Sequence, residues 1–161
     1  MKRLGNLYDK IISIENLRLA DDKARKGKTH SYGVMMHDKE RDAHILALHE
    51  SLANQTYHTS NYHVFKIYDP KERDIYRLPY YPDRIVHHAV MNILEPIWVS
   101  IFCKNTYSCI KNRGIHACAK GVRFALNNDP NGTKYCLKID IWHFYPSIDH
   151  PTLKLLLRRR L

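Results

Sequence analysis

We approach the fold from one stretch, Tyr135-Cys136-Leu137-Lys138-Ile139-Asp140-Ile141-Trp142-His143-Phe144-Tyr145-Pro146-Ser147-Ile148-Asp149-His150. Its first eight residues are rich in β-branched, aromatic and apolar side chains and contain no breaker, which predicts a buried strand. Asp140 lies near the end of that strand. A buried carboxylate is costly unless it pairs with a cation or coordinates a metal. The residues alone leave both roles open.

A turn and a helix are predicted after this strand. Pro146 and Ser147 favour the turn, and Pro151 suits the first turn of a helix that runs to Leu161. Asp149 precedes that helix and is more typical of a cap than of a metal ligand.

The composition indicates a basic protein with a polyanionic partner. The 161 residues are enough for one domain with a core, and the formal net charge is +10. Tyrosines and histidines lie among the cations, which favours nucleic acid over a merely solvated basic surface. No apolar run reaches the ~18 residues that a membrane span needs, and the N-terminus lacks a signal-peptide core. We therefore expect a cytoplasmic protein with reduced cysteines and no membrane partner.

A β-hairpin is predicted over residues 62–78. Residues 62–68 alternate, residues 69–72 favour a turn, and residues 73–78 return as a second strand. Lys66 precedes the turn, and Arg73 and Arg77 follow it on one face. Such a ribbon is either an edge kept soluble by its charge or a phosphate-binding element, because arginine binds phosphate oxygens in pairs.

Four further helices are predicted from caps and spacing. The first covers residues 4–26 and restarts near Ile14, where Ser13 can act as a cap. The others run from Asp38 to about residue 54, from Asp83 to about residue 95, and from Gly114 to about residue 126.

Four segments together resemble the reverse transcriptases of bacterial retroelements, of the group II intron-like, retron and diversity-generating kinds. The stretch from Asp140 to His150 resembles the first catalytic motif of that family. The other three are Pro70-Lys71-Glu72-Arg73-Asp74-Ile75 (fingers hairpin), Pro82-Asp83-Arg84-Ile85-Val86-His87-His88-Ala89-Val90, and Tyr107-Ser108-Cys109-Ile110-Lys111-Asn112-Arg113-Gly114-Ile115-His116-Ala117. The last segment has Ile110 where the family usually has arginine.

The resemblance implies an α+β fold with three parts. Residues 1–60 would form the helical part of the fingers, residues 61–134 the fingers hairpin with further helices and a basic loop, and residues 135–161 the first strand and helix of the palm. In the family an Asp-Asp hairpin follows the first catalytic motif, and the 161 residues contain no such segment after it. The pair Asp21-Asp22 precedes Asp140, which is the wrong order.

The resemblance also implies RNA-directed DNA synthesis on an RNA template from a DNA primer, with dNTPs and two Mg²⁺ ions. Asp140 would bridge both ions, the Ile141 carbonyl would bind one of them, and Tyr145 would lie under the deoxyribose. Triphosphate contacts would come from Lys66, Arg73 and Arg77, and nucleic-acid contacts from Arg84, Lys111 and Arg113.

Two alternatives stay open at this point. One is a non-catalytic RNA-binding module that kept the fingers, and the other is a metal nuclease built on Asp140, Asp149 and nearby histidines. Without the Asp-Asp hairpin, we expect the 161 residues to be inactive by themselves. We then also expect Ile139, Ile141 and Phe144 to be partly exposed or covered by a second copy of the chain, as a homodimer.

Overall fold

The structure is a computed structural model that describes residues 3–161 and confirms the α+β class. It is mostly helical, with one two-stranded antiparallel sheet among the described residues. The elements are α1 (Tyr8–Ile12), α2 (Ile14–Arg25), α3 (Tyr32–Asp38), α4 (Arg41–Ala53), β1 (His63–Ile67), β2 (Arg73–Arg77), a π-helical turn (Tyr80–Arg84), α5 (Ile85–Ile101), α6 (Ile115–Asn128) and α7 (His150–Arg158). Residues 6–97 form one compact unit, and residues 98–161 with the N-terminal segment form a second.

The first unit has a hydrophobic core built from its helices. Ile45, Leu48 and Leu52 of α4 are all buried, as their helical spacing predicted. They are joined by buried residues of α1, α2, α3, the π-helical turn and the start of α5. α3 approaches the turn closely, because a Cβ added at Gly33 would lie 2.8 Å from the Cβ of Tyr80. Only glycine fits there without a shift of the neighbouring backbone.

Two predicted helix caps had different outcomes. The Ser13 cap is confirmed, since its Oγ accepts a hydrogen bond from the backbone N–H of Asn16 at 3.2 Å. The Asp38 cap is wrong, because α3 ends at Asp38 and α4 begins at Arg41. The Asp38 carboxylate instead binds Arg25 at 2.7 Å. A short polar side chain can end one helix as readily as begin the next, so the local sequence was ambiguous.

The predicted hairpin is confirmed. β1 pairs with β2 in antiparallel register, with His63 opposite Arg77 and Ile67 opposite Arg73. All five residues of β1 are exposed, and in β2 only Ile75 is half-buried. The hairpin is therefore a ribbon that exposes both of its faces to solvent.

In the second unit, two helix starts are confirmed and a strand is corrected. α6 follows Gly114, and α7 is capped by Asp149, whose Oδ2 accepts the backbone N–H of Thr152 at 2.7 Å. Residues 135–142 do not form the predicted buried strand. Within residues 3–161 no other strand pairs with this run, and an unpaired strand leaves its backbone groups unsatisfied.

The side chains of this run are correspondingly exposed. The exposed fractions are 76% for Ile139, 59% for Ile141 and 49% for Phe144, which confirms the expected partial exposure. In the described part of the chain, the search for a helix long and apolar enough to cross a membrane found none.

Candidate nucleotide and nucleic-acid interface

The hairpin register separates the cations that the sequence had grouped. Residues directly opposite each other in a sheet share a face, so Arg73 and Arg77 lie on the face of Phe65 and Ile75. Lys66 lies opposite Asp74 and therefore on the other face, where its ammonium group forms an ion pair with Glu72. The structure brings the two arginines to one face and places Lys66 on the reverse.

The arginines of the first unit fall into two groups by their ion pairs. Arg18 binds Asp42 at 2.7 Å, and Arg25 and Arg41 bind buried Asp21. The second group comprises Arg73, Arg77 and Arg84. Among the described residues, no carboxylate lies within 4.0 Å of their guanidinium groups. Their charges are therefore available to an external anion.

A cleft of 340 Å³ lies where β2 leads toward α5. Arg77 and Arg84 line it together with His87 and His88 of the first turn of α5. The other lining side chains are Tyr62, Ile75, Tyr76 and Leu78. The predicted nucleotide contact Arg77 and the predicted nucleic-acid contact Arg84 therefore line the same cleft.

Asp83 forms hydrogen bonds that connect the segment before the hairpin to the turn that leads into α5. Its buried carboxylate accepts hydrogen bonds from Tyr57 Oη at 2.7 Å and from the backbone N–H of Ser60 at 3.1 Å. Burial alone raises the pKa of Asp83, but the hydrogen bonds from Ser60 and Tyr57 outweigh it and lower that pKa. Burial and the bond to Asp83 raise the pKa of Tyr57 to about 12. Asp83 therefore acts as a structural anchor and not as the predicted helix cap.

The sequence analysis missed a buried ionic network around Asp21. Its carboxylate is fully buried and binds Arg25 at 2.7 Å, Arg41 at 2.6 Å and the Tyr80 hydroxyl. His37 Nε2 lies 3.5 Å away. Burial raises the pKa of Asp21, but these neighbours together outweigh burial and hold that pKa well below its usual range.

Only part of this network had a signal in the sequence. The Asp21–Arg25 pair has the i,i+4 spacing of a helical ion pair. Arg41 and Tyr80 lie 20 and 59 residues from Asp21, so no local pattern links them to it.

The basic loop of the second unit precedes α6, as predicted. Lys111 is exposed, whereas Arg113 is half-buried and its Nη1 has no hydrogen-bond partner among the described residues. Gly114 occupies the N-cap of α6. A helix N-terminus favours a phosphate because its first N–H groups are free.

The predicted catalytic segment is exposed and irregular. Asp140 is exposed, and its Oδ1 accepts the backbone N–H of Ile141 at 3.0 Å. Tyr145 is 82% exposed and meets Phe144 edge to face, with ring centroids 5.2 Å apart.

The described residues bring no cluster of metal-ligating side chains together at Asp140. In the described part of the chain, no three His, Cys, Asp or Glu side chains are grouped as metal ligands, and Asp149 caps α7.

The chain is partly similar to a curated bacterial protein. No protein-family profile matches the chain. Over 101 residues the chain is 28% identical to Protein YkfC of Escherichia coli (strain K12). The aligned region covers 60% of this chain and 26% of YkfC, so it spans about a quarter of that protein's length.

Proposed function

We propose that these residues form the fingers and the start of the palm of an RNA-directed DNA polymerase from a bacterial retroelement. The observation that carries the proposal is the exposed hairpin, with Arg73 and Arg77 on one face and without carboxylate partners among the described residues. The RNA template, the DNA primer and the dNTPs are all polyanions, which suits the net charge of +10.

The hairpin suits an incoming triphosphate at its turn. Arg73 is the first residue of β2 and lies opposite Ile67, the last residue of β1. Its planar guanidinium can donate two hydrogen bonds to phosphate oxygens. Arg77 lies four residues further along the same strand, roughly 13 Å from Arg73 at the usual rise per residue. We therefore assign the triphosphate mainly to Arg73.

Asp140, Ile141 and Tyr145 keep the roles that the family resemblance implies. Mg²⁺ in such an enzyme activates the primer hydroxyl and neutralises charge on the triphosphate. The Asp140 carboxylate and the Ile141 carbonyl would contribute ligands, and the Tyr145 ring would exclude a 2′-hydroxyl. Because Asp140 is one carboxylate where several are needed, we expect residues 1–161 by themselves not to extend a primer.

A second candidate is a non-catalytic module that binds RNA. The observation that favours it is the exposed, irregular segment around Asp140, combined with the basic loop at Lys111 and Arg113. This candidate requires nucleic-acid binding but gives Asp140 no function. The two candidates therefore differ in the effect of Asp140→Asn on DNA synthesis.

The hairpin assignment is tested by titrating a fluorescent dNTP into the 161-residue chain. Arg73→Ala should weaken binding roughly 10- to 100-fold, because a hydrogen bond to a charged group contributes about 1.5–3 kcal/mol. Arg18→Ala is the matched control, because this arginine has no proposed contact with the triphosphate and already pairs with Asp42. Equal effects of the two substitutions, or no effect of Arg73→Ala, would overturn the assignment.

A further inference from the structure

The cleft at the base of the hairpin has the properties of an anion site of its own. Arg77 and Arg84 both line it, and neither has a carboxylate partner among the described residues. Two guanidinium groups facing one 340 Å³ space without a counter-ion repel each other unless an anion joins them.

The surroundings of the cleft reinforce its positive charge. His87 and His88 belong to the first turn of α5, which continues directly from the π-helical turn that ends at Arg84. Burial, followed by the charge of Arg84, lowers the pKa of His88. Lys23 and Lys28 act on His88 in the same direction, which shows that several cations contribute to the potential there.

Two tyrosines supply an aromatic surface beside these cations. Tyr62 and Tyr76 also line the cleft, and their rings meet edge to face with centroids 6.0 Å apart. Both remain more than half exposed, at 56% and 64%. A nucleobase can stack on such rings whatever its identity, because every base has a π-face.

We propose that this cleft binds a nucleoside phosphomonoester, with the phosphate between Arg77 and Arg84 and the base on Tyr62 or Tyr76. A phosphomonoester carries a charge of about −1.5 to −2 at neutral pH, which matches two unpaired guanidinium groups better than the single charge of a diester does. The volume lies at the lower end of small-ligand sites, which suits one nucleotide. A phosphomonoester next to a base is present both in a free nucleotide and at the 5′-phosphorylated end of a strand.

The site shares Arg77 and Arg84 with the contacts proposed for the polymerase, but it can be tested separately from the triphosphate site at Arg73 and from Asp140. Neither Asp140 nor Arg73 takes part in it, and Arg73 lies at the other end of β2 from Arg77. A negative result for dAMP at the cleft is therefore distinguishable from a negative result for the triphosphate at Arg73 or for DNA synthesis at Asp140.

The test measures binding of four ligands to the 161-residue chain by calorimetry. The ligands are dAMP, adenosine, and a ten-nucleotide single strand with either a 5′-phosphate or a 5′-hydroxyl. We expect dAMP or the phosphorylated strand to bind at least tenfold more tightly than its unphosphorylated counterpart. If only the phosphorylated strand binds more tightly than its counterpart, the ligand is the 5′ end of a strand. If dAMP binds more tightly than adenosine, free nucleotides are also ligands.

Two variants locate the binding. Arg84→Gln should remove the increase in affinity that the phosphate gives. Arg18→Gln, at an arginine paired with Asp42, should leave that increase unchanged. The proposal is overturned if the phosphate gives no gain with either ligand, or if Arg84→Gln weakens binding no more than Arg18→Gln does.

Discussion

The substitution Asp21→Asn should destabilise the first unit severely. The carboxylate is fully buried and neutralises Arg25, which is only 17% exposed, and Arg41, which is 36% exposed. Removing one member of a buried ionic group typically costs 3–5 kcal/mol, because the remaining charge is left without compensation. Water can reach Arg41, so we expect about 2–4 kcal/mol here. That is a large fraction of the 5–15 kcal/mol typical of a domain.

Urea unfolding followed by circular dichroism measures this loss. With a typical slope of about 1–2 kcal/mol per molar urea, the midpoint should fall by roughly 2 M. Asp22→Asn is the matched control, because Asp22 is 61% exposed and its one ion pair within residues 3–161 is with Arg41, at 2.5 Å. An exposed pair contributes about 0–1 kcal/mol, so this control should shift the midpoint little. Equal shifts in the two variants would refute the assigned role of Asp21.

The pH dependence gives an independent check on the same residue. The pKa of Asp21 is lowered in the folded state, so its contribution to stability is fully present above the unfolded pKa of about 3.9. The contribution is lost as the pH falls through the lower folded value. The difference in stability between the wild type and Asp21→Asn should therefore be constant near neutral pH and shrink below about pH 4. A difference that stays constant to pH 2 would contradict a charge-based role.

Two further predictions concern nucleic acid and sugar selection. In the proposed polymerase, Tyr145→Val should admit ribonucleotides, since the ring is the proposed barrier to the 2′-hydroxyl. Competition between dNTPs and rNTPs in primer extension measures this selectivity, and unchanged selectivity would make Tyr145 a packing residue. The 161-residue chain should bind RNA with an affinity that falls by about one log unit per log unit of salt for each phosphate neutralised on a duplex, and somewhat less on single strands. Filter binding from 50 to 300 mM salt measures the slope, and a flat profile would argue against contacts by Lys111 and Arg113.

Local signals in the sequence predicted most of the individual elements. The hairpin followed from alternation around a turn, and the caps at Ser13 and Asp149 from the residue types that accept helix N–H groups. The failure at residues 135–142 has a physical reason. A strand is stabilised by its partner, and the residues described here offer it none.

The candidate site was predictable in residue identity but not in arrangement. The motif around Arg73 indicated a phosphate contact, yet only the register showed that Lys66 lies on the opposite face and binds Glu72. The grouping of Arg77 with Arg84 depends on the path of residues 78–84, which lead from β2 through the π-helical turn into α5. Both pairs lie on either side of a turn, so neither a helical nor a strand periodicity in the sequence predicts them.

The central claim is tested most directly by primer extension with the complete product of the reading frame that contains these 161 codons. An RNA template, a DNA primer, dNTPs and Mg²⁺ are supplied, and Asp140→Asn is compared with Asp149→Asn, which keeps a residue able to cap α7. We predict that the wild type and Asp149→Asn extend the primer and that Asp140→Asn does not. Failure of the wild-type product to extend the primer, or undiminished extension by Asp140→Asn, would contradict the claim.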